Sequence, residues 1–335
     1  MIPNNILRVS LWVVCLFSLT ANVIVIAGRT KSKIPGIREK FTTTVSKIQN
    51  TFLINLAIAD CLMGVYLSGI GIADAAFGKD YFLSALGWRS GKACKGIGFI
   101  GFSANVASIL ILTFVSVERF CTIVFPFGKD LFRSKLTAII CVATWVTSCA
   151  ISLASIILSE FVTDLFGFSD VCLGLPINSV PEMSNFHIFE KRVSLFEGVY
   201  ATRRDYTDVK SLQWVYSQIV YIYFSGTCVL IITFCYIAIF ISTIRFKIQS
   251  GRRGSNKDEI KMALRIFVIV GTDLLCWLPV IITGILSNAG YEISTDVYAW
   301  FAIFVLPINS AFNPLIYTLP AIKRKKKNEP SFVAQ

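Results

Sequence analysis

The chain has 335 residues, of which 55% are hydrophobic and only 16% are charged, and its formal net charge is +12. Soluble globular domains carry about 25% charged residues, so the composition excludes a soluble enzyme, a disordered chain, a collagen-like chain and a small disulfide-rich secreted domain. The net charge fits either a nucleic-acid partner or a membrane surface, and its distribution along the chain decides between them.

Seven apolar stretches, each as long as the roughly 20 residues needed to cross a hydrocarbon core, are separated by polar segments. In chain order they cover residues 6–27, 50–74, 95–124, 136–158, 214–244, 261–286 and 297–319. They are too long for strands and lack alternation with a period of two, so each is predicted to be a helix. The predicted fold is an all-α membrane protein, a seven-transmembrane helix bundle.

The basic residues predict the orientation of this bundle. Segments 28–49, 118–135, 245–261 and 320–335 hold 21 of the 32 Lys and Arg residues against 6 Asp and Glu residues, and the opposite segments are slightly acidic. By the positive-inside rule these four segments face the cytoplasm, which places the N-terminus outside and the C-terminus inside. The basic residues are therefore expected to face membrane lipids and cytosol, and no nucleic-acid partner is expected.

The chain is predicted to consist of three parts. A short extracellular N-terminus (1–5) precedes the seven-helix domain (6–319), and a basic cytoplasmic tail (320–335) follows it. The first inner loop (28–49) and the second outer loop (159–213) are the long connections.

Two of the ten cysteines, Cys94 and Cys172, fall at the outer face, where the compartment is oxidising. They are predicted to form a disulfide that ties the second outer loop to the top of the third stretch; two unpaired thiols are the alternative. The other eight lie in or beside apolar stretches, where a free thiol acts as a small apolar filler.

Polar side chains recur at one depth of the predicted bundle. At a rise of 1.5 Å per residue, Asp60 lies about 15 Å, Ser108 about 16 Å and Asp273 about 18 Å from the inner ends of their helices. Asn309 and Asn313 fall at a similar depth in the seventh stretch. A carboxylate buried there needs a cation, a proton or hydrogen-bond donors, and oxygen-rich partners suit Na⁺. The alternative is that these groups bond only one another and hold the bundle together.

Prolines predict kinks in the last two helices. Pro279 and Pro314 each remove a backbone hydrogen bond inside an apolar stretch, and Trp277 lies half a turn before Pro279. A kinked helix that pivots is a candidate bistable element.

Charged residues at the inner ends suggest a latch between helices. Arg119 ends the third stretch and is expected to pair with either Glu118 or Glu259, the latter just before the sixth stretch. A solvated arginine at the membrane edge is the alternative.

These residues also carry a family resemblance that covers almost the whole chain. In order they include Asn22, Asn55 to Asp60, Trp88 with Gly91 and Cys94, Glu118-Arg119-Phe120, Trp145, Cys276 to Pro279 and Asn313 to Tyr317. Taken together they resemble the rhodopsin-type G-protein-coupled receptors. Segments 59–66, 123–127, 272–279 and 306–311, with Asp273 among them, are most similar to the relaxin-type peptide hormone receptors.

The resemblance implies roles for the residues already singled out. It implies a sodium pocket of five residues: Asp60, Ser108, Asn309, Ser310 and Asn313. It implies that Arg119 turns toward a G protein when the sixth helix swings outward, that Tyr236 and Tyr317 support the open form, and that Asp273 bonds toward Asn313.

The function implied is that of a multi-pass plasma-membrane receptor. It would pass an extracellular signal, expected to be a relaxin-like peptide, to a heterotrimeric G protein that raises cyclic AMP, with no enzymatic activity and no cofactor. A receptor for another ligand, or a constitutively active one, is an alternative. A transporter or ion-conducting protein that uses the Asp60 cluster as its path is a third possibility.

The chain departs from this branch before its first helix. The branch carries a large leucine-rich ectodomain there, whereas only a few residues precede the first stretch. Either the sequence is incomplete or the receptor works without that module.

Overall fold

The computed structural model describes most of the apolar part of the chain. Its described residues are 2, 4–30, 44–125, 132–161, 170–172, 215–216, 218–250, 268, 271–272, 274–286, 289, 291 and 295–317.

Helices make up nearly all of this described part. In chain order they are α1 (Asn5–Thr30), α2 (Thr44–Phe77), α3 (Tyr81–Ser90), α4 (Lys92–Val124), α5 (Ser134–Phe161), α6 (Ser225–Ser250), α7 (Leu274–Leu286), α8 (Thr295–Trp300) and α9 (Leu306–Tyr317). A 3₁₀ turn, Gly78–Asp80, precedes α3, and π-helical turns, Gln218–Phe224 and Phe301–Val305, precede α6 and α9.

Within the described residues, five helical segments are long and apolar enough to cross a membrane, and two shorter apolar helices follow them. The five are Asn5–Thr30, Lys47–Phe77, Lys92–Val124, Ser134–Leu158 and Gln218–Arg245, and the shorter two are Leu274–Leu286 and Phe301–Ile316. The prediction of a helical membrane protein is confirmed at this level.

The faces of α1 show why these segments need a membrane. Buried residues recur every three or four positions along α1, as on the packed side of a helix. The opposite side is also apolar: Ile6 is 71% exposed and Val9 64%. A helix that is apolar all round and buried on only one side has its other side matched to lipid.

Helix α4 lies at the centre of the bundle. It packs against α2, α5 and α6, and α2 packs in turn against α1 and α9. Most of the membrane-length part of α4 is buried within the protein, unlike that of α1 or α5. Residues on α2, α4 and α9 can therefore meet in the interior.

The helices extend beyond the predicted apolar stretches. α2 begins at Thr44, within the predicted first inner loop, and α5 ends at Phe161, within the predicted second outer loop. Hydropathy marks only the part of a helix that matches lipid, so polar turns that continue the helix outside the hydrocarbon are missed.

Two features were not predicted from the sequence. One is α3, a short helix outside the apolar stretches; its buried residues Tyr81 and Trp88 are two turns apart on one face. The other is the π-helical turn before α6, where the Ser225 hydroxyl donates to the Val220 carbonyl oxygen at 3.0 Å. Neither element is long enough to produce a recognisable hydropathy pattern in the sequence.

Candidate functional site

Asp60 is the centre of a buried polar cluster that joins three helices. Its side chain lies on α2 and is completely buried. The Ser108 hydroxyl of α4 donates to Asp60 Oδ1 at 3.3 Å, and the Asn313 amide of α9 donates to Asp60 Oδ2 at 2.9 Å. Three of the side chains placed at one depth by helical rise are therefore in contact.

The remaining members of the predicted pocket lie one turn away on α9. Asn309 and Ser310 are both buried, and the Ser310 carbonyl accepts a hydrogen bond from Asn22 Nδ2 at 3.0 Å, which ties α9 to α1. Asn309 Oδ1 is buried and has no hydrogen-bond partner within the described residues. An amide oxygen without a donor is an available ligand for a cation or for water.

A small cavity of about 10 Å³ adjoins this cluster, with room for about one water molecule. Asp60, Asn313, Asn22 and Pro314 are among its lining residues. Ser108, Asn309 and Ser310 are not, so the cavity reaches only part of the predicted pocket.

The end of α4 that is predicted to face the cytoplasm carries the predicted charge pair. Arg119 Nε lies 3.7 Å from Glu118 Oε2, and the Thr122 hydroxyl donates to Glu118 Oε1 at 3.2 Å. The Glu118 side chain is only 2% exposed, whereas that of Arg119 is 38% exposed. The buried carboxylate therefore lies beside a guanidinium that reaches the surface. Glu259, the other predicted partner, lies outside the described residues.

Trp277 lies in the bundle interior, two residues before Pro279 of α7. It belongs to a buried apolar cluster with Phe102 of α4, Cys228 of α6 and Phe301 in the π-helical turn before α9. A pivot of α7 at Pro279 would move this ring against three other segments, so the cluster connects the kink to the rest of the bundle.

The other four predicted switch residues are Tyr236, Pro314, Tyr317 and Asp273. Tyr236 is buried on α6 within an apolar cluster that includes Leu112 and Val115 of α4. Pro314 lies inside α9. The side chain of Tyr317 and the whole of Asp273 lie outside the described residues.

At the opposite end of the bundle, predicted to be the outer one, three consecutive residues of the predicted second outer loop contact three different elements. Asp170 accepts hydrogen bonds from the Tyr81 hydroxyl at 2.8 Å and from Arg89 Nε at 2.6 Å, both on α3. The Val171 carbonyl accepts from the Tyr66 hydroxyl of α2 at 2.7 Å. Cys172 forms the predicted disulfide with Cys94 of α4.

Electrostatics at this outer contact follow from burial. Desolvation and the hydrogen bond to Asp170 raise the pKa of Tyr81, so its hydroxyl stays protonated as a donor throughout the physiological range. Trp88 Nε1 also donates to the Asp170 carbonyl at 3.0 Å, which makes Asp170 the centre of the contact with α3.

The Tyr66 side chain fills the space between α2 and α4. Its ring lies so close to Gly101 that a Cβ added there would be 2.5 Å from the ring. The adjacent cavity, lined by Met63, Phe102 and Asn105 among others, has a volume of about 20 Å³.

Sequence reasoning missed a second outer contact, which holds the start of the chain. Arg8 donates to both carboxylate oxygens of Asp74 on α2, at 2.5 and 3.3 Å, and the backbone amide of Ile2 donates to Asp74 Oδ1 at 2.9 Å. The sequence offered two signals: Asp74 lies at the end of one apolar stretch, and Arg8 lies near the start of another. Their pairing depends on which faces of α1 and α2 meet.

Comparison with known proteins places this geometry in a family. The model of the seven-transmembrane receptors of the rhodopsin family matches residues 37–188 and 187–317. The chain is 30% identical over 320 residues to human relaxin receptor 2, a match that covers 95% of this chain and 37% of that receptor. It is 31% identical over 320 residues to rat relaxin receptor 1, again over 95% of this chain and 37% of the receptor.

A mollusc protein matches to a similar degree. The G-protein coupled receptor GRL101 of Lymnaea stagnalis is 30% identical over 320 residues, 95% of this chain and 25% of that protein. The chain thus spans about a quarter to two fifths of the length of these relatives. The match of the family model across nearly all the helices shows that this multi-pass plasma-membrane protein belongs to the rhodopsin family of seven-transmembrane receptors, in the branch of the relaxin receptors.

Proposed function

We propose that the chain forms a seven-helix bundle with its N-terminus outside and its C-terminus inside, and that it passes an extracellular signal to a heterotrimeric G protein. The five membrane-length helices and the two shorter apolar ones support the count of seven. The concentration of Lys and Arg in four alternate segments supports the orientation. Family membership already identifies the chain as a receptor rather than an enzyme.

The observation that carries this proposal is the Asp60 cluster. A carboxylate with no exposure, bonded to Ser108 and Asn313, links α2, α4 and α9 in the interior. Such a group contributes strongly to stability only while its partners stay in place, so a shift of α9 changes its energy. A buried cluster that joins helices which shift relative to one another suits a two-state switch.

Na⁺ is chemically suited to the oxygen ligands of this cluster. The residues that would hold it are Asp60, Ser108 and Asn309, with Ser310 and Asn313 beside them. All offer oxygen ligands, and the Asn309 amide oxygen has no other partner within the described residues. The ion would supply a positive charge that stabilises the carboxylate in one of the two states.

We place Arg119 at the G-protein side of the switch. In the closed form its guanidinium is held by Glu118, and by Glu259 if the sixth helix approaches as the sequence suggests. Outward movement of that helix would release it. Tyr236 and Tyr317 would then support the open form, Asp273 would bond toward Asn313, and the kinks at Pro279 and Pro314 would allow the movement.

The extracellular ligand is proposed to be a peptide of the relaxin type, and the response a rise in cyclic AMP. Similarity to the relaxin receptors supports this ligand class. The outer contacts of Asp170 and Asp74 give such a ligand rigid elements on which to act.

The test is to measure nucleotide exchange on a panel of G proteins in cells that express the chain, with and without relaxin-family peptides. Ion flux is recorded in the same cells, and an Asp60→Asn variant serves as the site control. Peptide-dependent exchange that is altered by Asp60→Asn supports the proposal. Nucleotide exchange that needs another ligand, or no ligand, would refute the proposal that the ligand is a relaxin-type peptide. Ion flux without nucleotide exchange would refute the proposed receptor function.

A further inference from the structure

The inner ends of α1 and α2 form a notch around Arg29. Asn22 and Val25 are buried on the side of α1 that packs against α2, and Arg29 follows them at the next turn of the same side. Its Nη1 donates to Asn50 Oδ1 of α2 at 3.2 Å. The guanidinium is therefore held between the two helices.

One edge of this guanidinium lacks an acceptor. Arg29 Nε is enclosed by protein and makes no hydrogen bond within the described residues. Arginine carries five N–H donors and no acceptor, and buried donors in folded proteins nearly always have a partner. A partner for this edge would have to offer oxygen atoms.

A second cation faces the same notch. Lys47 is exposed and lies one turn before Asn50 on α2, so the two share a face of the helix. Two positive charges on neighbouring helix ends favour an anion.

The depth of the notch matches the lipid headgroups. Asp60 lies at the middle of α2, which covers Thr44–Phe77. Asn50 is ten residues away, about 15 Å along the axis, which is half the roughly 30 Å of a bilayer hydrocarbon core. Val23 and Ile24, 55% and 67% exposed, lie one to two turns deeper on α1 and can contact acyl chains.

We propose that this notch, defined by Arg29, Asn50 and Lys47, binds the phosphate of an anionic phosphoinositide headgroup from the inner leaflet. Arg29 would use its planar N–H donors on the phosphate oxygens, and Lys47 would add a point charge. Basic pockets between transmembrane helices on the cytoplasmic side suit such headgroups. The inference rests on the proposed orientation, which puts this end of α1 in the cytoplasm.

The test measures lipid binding to the purified full chain by native mass spectrometry, with phosphatidylinositol bisphosphate titrated against phosphatidylcholine. Arg29→Gln is expected to weaken binding about tenfold and Lys47→Gln about fivefold, since each basic residue near an anionic headgroup contributes on that scale. The matched control is Arg245→Gln, an exposed basic residue on α6, which is expected to leave the affinity unchanged.

Three results would overturn the proposal. Unchanged affinity in Arg29→Gln and Lys47→Gln would remove the site. An equal loss in Arg245→Gln would show general charge attraction only. Displacement of the lipid by soluble inositol trisphosphate at equal concentration would assign the notch to a free phosphate instead. If Arg29→Gln fails to fold, as judged by thermal unfolding, exposed Lys47 carries the test.

The site and the proposed function can fail separately. Nucleotide exchange in pure phosphatidylcholine discs tests the receptor function without the lipid. Loss of exchange with lipid binding intact counts against the function alone, and intact exchange with lipid binding absent counts against the notch alone.

Discussion

In the described residues, the ends of the bundle that we propose to be outer and inner are held together by different kinds of contact. At the outer end, a disulfide and the charged contacts of Asp74 and Asp170 cross between elements. At the inner end, the described ion pair joins Glu118 to its own neighbour Arg119 at 3.7 Å and crosses to no other helix. Among the described residues, the disulfide and the ion pairs between elements therefore lie at one end, which suits a bundle that opens at the other.

Hydrogen bonds other than ion pairs also cross between helices near this end, the proposed inner one. Trp145 Nε1 of α5 donates to Asn55 Oδ1 of α2 at 3.0 Å, and Arg29 of α1 reaches Asn50. These contacts join α1, α2 and α5, which we expect to form the stationary part when the bundle opens.

The strongest test of the proposed outer end removes the disulfide. Cys94→Ser is expected to lower the free energy of unfolding by about 2–5 kcal/mol, because a native crosslink over a long loop restricts the unfolded chain. Thermal unfolding of the purified receptor measures the loss. Cys149→Ser, at an exposed free cysteine, is the control. Equal stability of the two variants would contradict the assigned role of the outer crosslink.

The next test removes the carboxylate that holds the start of α1. Asp74→Ala is expected to cost about 1–3 kcal/mol, since it leaves the Arg8 guanidinium and the Ile2 amide without their acceptor. Because Arg8 is 43% exposed, water replaces part of the lost contact. Hydrogen exchange at the first turns of α1 locates the effect. Asp80→Ala, an exposed acidic residue nearby, should change neither measurement.

The middle of the bundle is tested by withdrawing sodium. At a concentration ten times its dissociation constant, Na⁺ is expected to stabilise the wild-type chain by about 1.4 kcal/mol. Thermal unfolding in sodium chloride against choline chloride measures this difference. Asp60→Asn should abolish it, because the variant removes the charge that the cation neutralises. Ser152 is buried away from the cluster, so Ser152→Ala should leave the stabilisation by sodium intact. Loss of the sodium effect in both variants would argue against a specific site.

The smallest effect is expected at the Glu118–Arg119 pair. Glu118→Gln removes the charge that faces Arg119 and should raise basal nucleotide exchange about two- to fivefold, since Arg119 is 38% exposed and its long contact to Glu118 contributes under about 1 kcal/mol. Basal exchange in cells measures it. The charge control is Asp80→Asn, which neutralises an acidic residue at the proposed outer end of the bundle. Basal exchange at the wild-type level in Glu118→Gln would show that this pair is no restraint.

Depth could be predicted from the sequence because it depends only on counting residues along a helix. Counting places Asp60, Ser108 and Asn313 at one level, and they meet within 3.3 Å. The same counting could not decide which faces of the helices meet. Arg8 and Asp74 are therefore paired without any signal in the spacing, since their contact depends on how α1 and α2 are rotated against each other.

Short elements outside the membrane were also beyond prediction. α3 has ten residues, and its position is fixed by tertiary contacts to Asp170 rather than by its own periodicity. The disulfide, in contrast, was predicted because compartment alone separates Cys94 and Cys172 from the eight cysteines in apolar stretches.

The position of Tyr66 bears on which molecules could be developed against this receptor. Its ring and its bond to Val171 leave a cavity of about 20 Å³ between α2, α4 and α9, whereas small-molecule sites measure about 300–1,000 Å³. A drug-sized compound could enter there only after Tyr66 swung away from Gly101. Screening for such compounds should therefore use a Tyr66→Ala receptor beside the native one, because compounds that bind only the variant would be those that the tyrosine excludes.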